Sequence, residues 1–426
     1  MSPARAVAAP CARGLPSGGS VQRSRQGYGS AGASPSRNIH FPYPLHRYFL
    51  HFPAFAFGFA PQAISGENIA LETGRGTGIQ EVNVLMDEIR FGLIGFGAWG
   101  THHAQAIRET PGAVLAAIAA RSEASQQAAR DAYPDVAVVS DYREFLERTD
   151  LDVIDIVVPT HQHADIACAA LSSGRHVLLE KPMAGTLDDC RRILSAARTS
   201  RRLLAIGFEL RLSRLWGRVE ELLREDAIGT PLYCLIDLFR RPYRAGSGDW
   251  RYDRDRVGNW ILEEPIHFFD LARWYLSGHG EPTAVTARSN SIDDGRPLLC
   301  DNFSAFLDFP DGVYAVISQT LAAFEHHQAV KLTGTRGAIR ASWGGAMDRT
   351  CSPSFSLQHF DGQRVQSLDC GGPAGEVFEL QQQIARMCDA VRGSQPLHAD
   401  GHDGMRAVEL CLAAEESARL RETVAL

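Results

Sequence analysis

Lysine is almost missing from this chain. Of 43 basic residues only Lys181 and Lys331 are lysines, so arginine supplies nearly every cation. The net charge is −7, which leaves no overall basic character to attract nucleic acid. The nine cysteines occur singly, with no C-x-x-C pair and no metal-like spacing to histidine. That excludes a disulfide framework and points to a reducing compartment, so a cytoplasmic protein is expected. Long apolar runs are also lacking. The aromatic stretch Tyr48–Phe59 is too short to cross a bilayer and is interrupted by His51 and Pro53, so no membrane partner is expected. Acidic residues are absent before Glu67.

That last absence marks a boundary. Residues 1–85 hold seven arginines against three glutamates, a net of +4, which leaves −11 for the remainder. Rich in Ala, Gly, Pro, Ser and Arg and without sustained periodicity, the segment reads as a disordered or non-native extension upstream of a start at Met86. Its Arg-rich, acid-poor composition also resembles an organelle transit peptide, although the apolar order of a secretory signal is missing. The 426 residues suffice for about two to three domains.

From Met86 the pattern becomes regular. Ile89–Ile94 reads as a strand running into Gly95-Phe96-Gly97-Ala98-Trp99-Gly100, with a helical pattern from Thr101 and a second strand at Val114–Ala119. In G-x-G-x-x-G the first glycine allows a tight turn. The second admits a pyrophosphate to the backbone, and the third lets helix pack on strand. The helix N-terminus adds amide donors and partial positive charge. An NAD site carries an acid about 20 residues on, to hold the ribose 2′-hydroxyl. Here Ala120, Arg121 and Ser122 stand instead: a small residue, a cation able to pair with a phosphate, and a hydroxyl. NADP is therefore the expected cofactor, with NAD the alternative.

Strand and helix signals then alternate through DVIDIVV (152–158), Pro159-Thr160-His161-Gln162-His163, HVLLEKPM (176–183) and Arg202–Ile206. The expected class is α/β. A Rossmann doubly wound parallel sheet is assigned to 86–208, with ligands at the carboxyl ends of its strands. After Gly207 the signals change to an amphipathic helix at Arg211–Arg224, a polar loop at 240–258, a helix around Trp260–Leu276, and strands with β-alternation separated by turns. Residues 209–426 are therefore assigned to an α+β substrate-binding and oligomerisation domain with a large, mostly antiparallel sheet. Two helices, Ala374–Arg392 and Gly404–Arg421, close the chain.

Two places carry chemistry. At Glu180-Lys181-Pro182 an apolar strand ends in a carboxylate, an ammonium and a rigid imide. A lysine kept in an arginine-writing chain is notable, because an ammonium shifts its pKa readily and a guanidinium does not. In WILEEPIHFFDLARWY (260–275), helical spacing would place Glu263, His267 and Asp270 on one face. A lone histidine there is more often a satisfied core residue. Two flanking carboxylates would instead fix its tautomer and raise its basicity, as suits a general base. The preceding loop offers Arg240, Arg244, Trp250 and Arg251 as substrate contacts. Glu263 and His267 supply only two ligands, so no metal site is expected.

These motifs, G-F-G-A-W-G, V-P-T-H-x-H at 158–163, E-K-P at 180–182 and E-x-P-x-H-x-x-D at 263–270, in that order, resemble the glucose–fructose oxidoreductase/inositol dehydrogenase/MocA family over essentially all of 88–421. The resemblance implies that Gly95, Gly97 and Gly100 take the pyrophosphate, with Phe96, Ala98 and Trp99 also cofactor-binding. Arg121 and Ser122 would face the adenosine ribose. Pro159, Thr160 and His163 would line the nicotinamide half, and Glu180 and Lys181 would hold cofactor and substrate together. Pro182 falls where the family often has a cis bond, Glu263 where it has a substrate-binding Asp, and His267 where it has the catalytic base. The chain departs from the usual D-x-G before the histidine, writing E-x-P, which bears on the substrate's size and orientation.

The expected activity is oxidation of a secondary alcohol of a sugar or cyclitol, with His267 as base and Lys181 stabilising the alkoxide. A reductase of a dicarbonyl or imine, NAD-assisted glycoside cleavage, and a non-catalytic dinucleotide sensor are the alternatives. A small polyhydroxylated substrate and a homodimer or homotetramer are the expected partners.

Overall fold

The computed structural model describes residues 88–291 and 300–426. The extension assigned to 1–85 lies outside the described residues.

The first sheet is built from short, almost wholly apolar segments: β1 Ile89–Ile94, β2 Ala113–Ala119, β3 Ala137–Val139, β4 Val153–Ile156, β5 His176–Leu179 and β6 Leu204–Ile206. Continuous apolar runs rather than alternation are what a sheet covered on both faces requires. The strands pair in parallel in the order β3-β2-β1-β4-β5-β6. Helices α1 Gly100–Glu109, α2 Glu123–Ala132, α3 Arg143–Glu147, α4 His163–Ser172 and α5 Leu187–Ser200 connect them. Between β1 and β4 the strand order reverses, which opens a crevice beyond the carboxyl ends where ligands bind in such sheets. The glycine turn, the segment after β4 and the Glu180–Pro182 corner all sit at those ends.

The second part of the chain contains α6 Trp216–Arg224, β7 Pro231–Arg240, α7 Arg254–Val257, α8 Pro265–Tyr275, β8 Ala284–Asn290, β9 Asn302–Asp308 and β10 Tyr314–Thr320. There follow β11 His326–Gly334, β12 Ala338–Gly345, β13 Ser354–Phe360, β14 Val365–Leu368, α9 Glu376–Arg392, α10 Gly401–Leu420 and β15 Thr423–Ala425. Among the described residues its sheet runs β14-β13-β12-β11-β7-β10-β9-β8-β15. It is antiparallel except where β7 and β10 pair in parallel. Cys234, Ile236 and Leu238 alternate inward from β7, and on that side Phe269 of α8 stacks on Phe303 at 6.3 Å. The expected α/β class, a parallel sheet followed by a mostly antiparallel one, is thus present.

The closing helices return to the first sheet. Leu380, Ile384 and Met387 of α9 share a buried cluster with Phe91 and Ile107, and the amide of Ile206 donates to the carbonyl of Ala399 at 3.2 Å.

Two helices differ from expectation. The segment expected as Arg211–Arg224 is split into a 3-10 turn, Glu209–Leu212, and α6. Between them, the hydroxyl of Ser213 accepts from the amide of Leu215 at 3.1 Å. The helix expected from Trp260 begins only at Pro265. Proline lacks the amide that an interior helical position donates and disfavours helical backbone just before it, so it fits the first turn and resists being preceded by one.

Candidate active site

The cleft at the switch point has a volume of about 830 Å³ and is lined from both parts of the chain. Its nucleotide end is the glycine turn. Gly95 has φ +104°, and a Cβ there would lie 2.1 Å from the carbonyl oxygen of Val157. A Cβ on Gly100 would lie 2.0 Å from the carbonyl of Gly95. Those two glycines are demanded by the chain's own packing. Gly97 is not: a Cβ there meets nothing within 4 Å. Its bareness serves the open cleft, which is the approach a dinucleotide's pyrophosphate needs, and α1 begins three residues later. Phe96, Ala98 and Trp99 complete this wall.

Arg121 is exposed at the cleft margin with Ser122 beside it. The Ser122 hydroxyl is engaged as the N-cap of α2, accepting from the amide of Ser125 at 3.2 Å and donating to its hydroxyl at 2.9 Å. Arg143, also in the lining, is tied to Asp141 at 3.2 Å. The bare Gly97 wall, a helix N-terminus and Arg121 at the margin together fit a dinucleotide.

Pro159 and Thr160 line the cleft, but His163 does not. Its ring is buried between two main-chain carbonyls, Nδ1 at 2.8 Å from that of Pro182 and Nε2 at 2.8 Å from that of Val158. It braces two strand ends against each other, and His161 takes the place in the lining.

At the Glu180–Pro182 corner the Lys181-Pro182 bond is cis. Glu180 is buried and turns toward α1, where His103 Nε2 stands 3.1 Å from Oε1. His103 Nδ1 stands 2.8 Å from Oδ2 of Asp155 on β4, and both His103 and Asp155 are wholly buried. Burial acts to lower the histidine's pKa, but the two carboxylates outweigh it and raise it to about 10. Burial likewise opposes ionisation of Glu180, yet His103 and Lys181 bring its pKa down to about 2. An imidazolium with both N–H groups on carboxylates thus joins α1, β4 and β5. Lys181 lines the cleft and donates from Nζ to the carbonyl of Glu263 at 2.6 Å.

The surroundings of His267 correct the sequence expectation. Glu263 precedes α8 rather than sharing a helical face with the histidine, and its carboxylate pairs with Arg251. Asp270 is on the helix but faces Arg211, Oδ1 to Nη2 at 2.6 Å, with Asp403 on the same guanidinium at 3.0 Å. Neither acid raises the basicity of His267. Burial and Lys181 lower its pKa to about 3. The carboxylate nearest its ring is one the spacing did not suggest: Glu209, with Oε1 at 3.7 Å from Nε2. Burial, then Glu180 and Glu376, push the Glu209 carboxyl well above its usual pKa. An acid closing the apolar run LLAIGF was its only signal in the sequence.

The arginine loop reaches the cleft, largely neutralised. Arg240 is buried against Glu264 and lies 4.7 Å over the ring of Tyr243. Arg251 lies 4.6 Å over Trp250, and Arg244 is 3.7 Å from Asp348. Arg349, which sequence reasoning missed, comes from the β12–β13 connection. It stacks 4.7 Å over Trp99 and donates to the carbonyl of Ala98 at 3.2 Å, with its Nε buried and unpartnered. Among the described residues no cluster of three His, Cys, Asp or Glu is placed to hold a metal, and no helix is long and apolar enough to cross a membrane.

Comparison with known proteins agrees with this layout. Residues 89–208 match the oxidoreductase family with an NAD-binding Rossmann fold, and residues 216–340 match the GFO/IDH/MocA C-terminal domain. The uncharacterized oxidoreductase YdgJ of Escherichia coli is 31% identical over 265 residues, covering 60% of this chain and 71% of that protein. Myo-inositol 2-dehydrogenase of Thermotoga maritima is 26% identical over 352 residues, covering 79% and 98%. The crystal structure of aldose-aldose oxidoreductase from Caulobacter crescentus superposes with a TM-score of 0.68 at 21% identity, covering 80% and 100%, which is a likeness of fold. With both halves matched in order around one cleft, the chain belongs to the GFO/IDH/MocA family of oxidoreductases.

Proposed function

We propose that this protein is an NAD(P)-dependent dehydrogenase that oxidises a secondary alcohol of a sugar or cyclitol, with NADP preferred over NAD. The observation that carries this reading is the meeting of Lys181 and His267 in the cleft lined by the glycine turn. The bound dinucleotide supplies the nicotinamide that takes up a hydride equivalent. The chain's residues do the rest. Gly97 and the N-terminus of α1 receive the pyrophosphate, and Arg121 recognises the 2′-phosphate. Lys181, steadied by the Glu263 carbonyl, holds the substrate oxygen and stabilises negative charge as it develops there. His267 exchanges the hydroxyl proton. The neutralised arginine loop suits an uncharged polyol, since Arg240 and Arg251 are already spent on Glu264 and Glu263.

A second reading, reduction of a dicarbonyl or imine at the same site, is favoured by one observation. The buried Glu209 carboxyl beside His267 tends to keep its proton, which suits donation to a carbonyl. We also propose a homodimer or homotetramer in the cytoplasm. In support, the outer face of the second sheet carries Phe306 at 46% and Tyr314 at 39% exposure, with their rings stacked.

The test is a panel of polyols, aldoses and inositols with NADP⁺ and NAD⁺, following reduced-nicotinamide absorbance. Lys181→Met should lower turnover by about 10²–10³-fold while dinucleotide affinity holds. Full activity in that variant would overturn the assignment, and a strong NAD⁺ preference would overturn the role of Arg121.

A further inference from the structure

We propose that Glu209 is the acid–base partner of His267, the two holding a single exchangeable proton that passes to or from the substrate's oxygen. The inference rests on the oxidoreductase reading above and assigns a residue that the family motifs in this chain do not include.

Glu209 sits in the 3-10 turn that follows β6, only 2% exposed, and it lines the cleft. Its Oε1 is 3.7 Å from His267 Nε2, and its Oε2 is buried with no hydrogen-bond partner. His267 is 3% exposed, and its Nδ1 is likewise buried and unpartnered. The other acids near the helix start are already engaged: Glu263 by Arg251, Glu264 by Arg240, Asp270 by Arg211. Glu209 has no such cation. A carboxylate stripped of water without a partner is strongly disfavoured, so such a group retains a proton or shares one with its neighbour.

The charges facing the pair are mixed: Lys181 favours an ionised Glu209 and the acids a protonated His267, but burial of both groups works against either ion. Glu180 and Lys181 approach from the end of β5, Glu264 from the start of α8, and Glu376 from the first turn of α9. Glu379, one turn further along α9, is held by the amide of Gly375 at 3.0 Å. The acidic neighbours disfavour a second anion at Glu209, and Lys181 disfavours a cation at His267. One proton on two adjacent basic sites is the state that satisfies both. Such a pair titrates as a unit, with a proton affinity belonging to neither group alone. By itself, an imidazole whose pKa is lowered to about 3 is a feeble base at neutral pH. The carboxylate supplies the missing affinity.

The chemistry balances in either direction. In oxidation the carbinol C–H bond breaks with its electron pair going to nicotinamide, the O–H bond breaks with its proton going to the deprotonated pair, and C=O forms. In reduction the protonated pair returns that proton to the oxygen.

Glu209→Gln keeps shape and removes the titration. For alcohol oxidation by wild type, kcat/KM should rise with pH along a one-proton limb. In Glu209→Gln that limb should move at least one unit lower, with the plateau reduced roughly 10–100-fold, within the range for a lost acid–base partner. Glu209→Asp should keep the limb. A readout independent of turnover is ¹⁵N NMR of the histidine ring nitrogens in the substrate-free protein, with His267→Gln identifying the resonance. The titration of His267 should shift by at least one pH unit in Glu209→Gln. An unchanged titration overturns the pairing. If no alcohol or carbonyl is turned over by wild type while the titration does shift, the pair stands and the oxidoreductase reading of its purpose falls.

Discussion

Replacing His103 by leucine removes the cation from between two buried carboxylates and keeps a side chain of similar bulk. Asp155 and Glu180 would then face each other in the interior, with Lys181 as the remaining cation beside Glu180. Breaking a buried ion pair by deleting one partner costs about 3–5 kcal/mol, because a charge is left uncompensated. The pH dependence follows from the signs of the shifts. His103 is raised from 6.5 to about 10 in the fold, so its contribution is full below pH 6.5 and fades as pH climbs through 10. Each pH unit in that window removes about 1.4 kcal/mol. Glu180 is lowered from 4.5 to about 2, so its contribution is full above pH 4.5 and fades as pH falls toward 2. Asp155 is raised by its burial, so its protonation favours the fold as pH falls and partly offsets the loss from Glu180. The stability gap between wild type and His103→Leu should therefore be widest between pH 4.5 and 6.5 and narrow on both sides. Urea unfolding followed by tryptophan fluorescence and circular dichroism across pH 3–10 measures it. A gap below about 1 kcal/mol at pH 6, or one that stays level from pH 6 to 10, would refute the imidazolium bridge.

Two further outcomes test the nucleotide end. Gly97→Val adds a side chain where the protein itself offers nothing within 4 Å, so folding should be unaffected while dinucleotide affinity falls by at least about 10-fold. Calorimetric titration with NADP⁺ alongside thermal unfolding separates the two, and a lowered melting temperature with intact binding would contradict the reading. Arg349→Ala should weaken dinucleotide binding by about 10–100-fold, the worth of one charge-assisted hydrogen bond, and lessen its sensitivity to salt. Unchanged affinity would mean that the guanidinium only packs on Trp99.

Much of this arrangement was legible because it is written locally. Gly95, Gly97 and Gly100 and the apolar strand before each corner depend on residues a few positions apart. The parallel first sheet and the mostly antiparallel second one followed from those signals. What escaped depends on pairing across the fold. His103 meets Asp155 and Glu180 from 52 and 77 residues away, and Arg349 reaches Ala98 across 251. Asp155 inside the apolar strand DVIDIVV was a clue that a buried cation must face it. The helical wheel drawn through Glu263 failed for a physical reason, since Pro265 starts the helix and leaves Glu263 outside it. The same spacing looked right for Asp270, yet Arg211 competes for that carboxylate from 59 positions away.

Lys181 is anchored to the peptide carbonyl of residue 263 and not to its side chain. A carbonyl is present whatever amino acid occupies that position, so the lysine's hold does not depend on which residue is written there. The side chain at 263 meanwhile points toward Arg251 and the cleft. Substitution at this one position can reshape what the cleft admits without loosening the ammonium. Anchorage of the ammonium and the shape of the cleft are thereby separable under mutation.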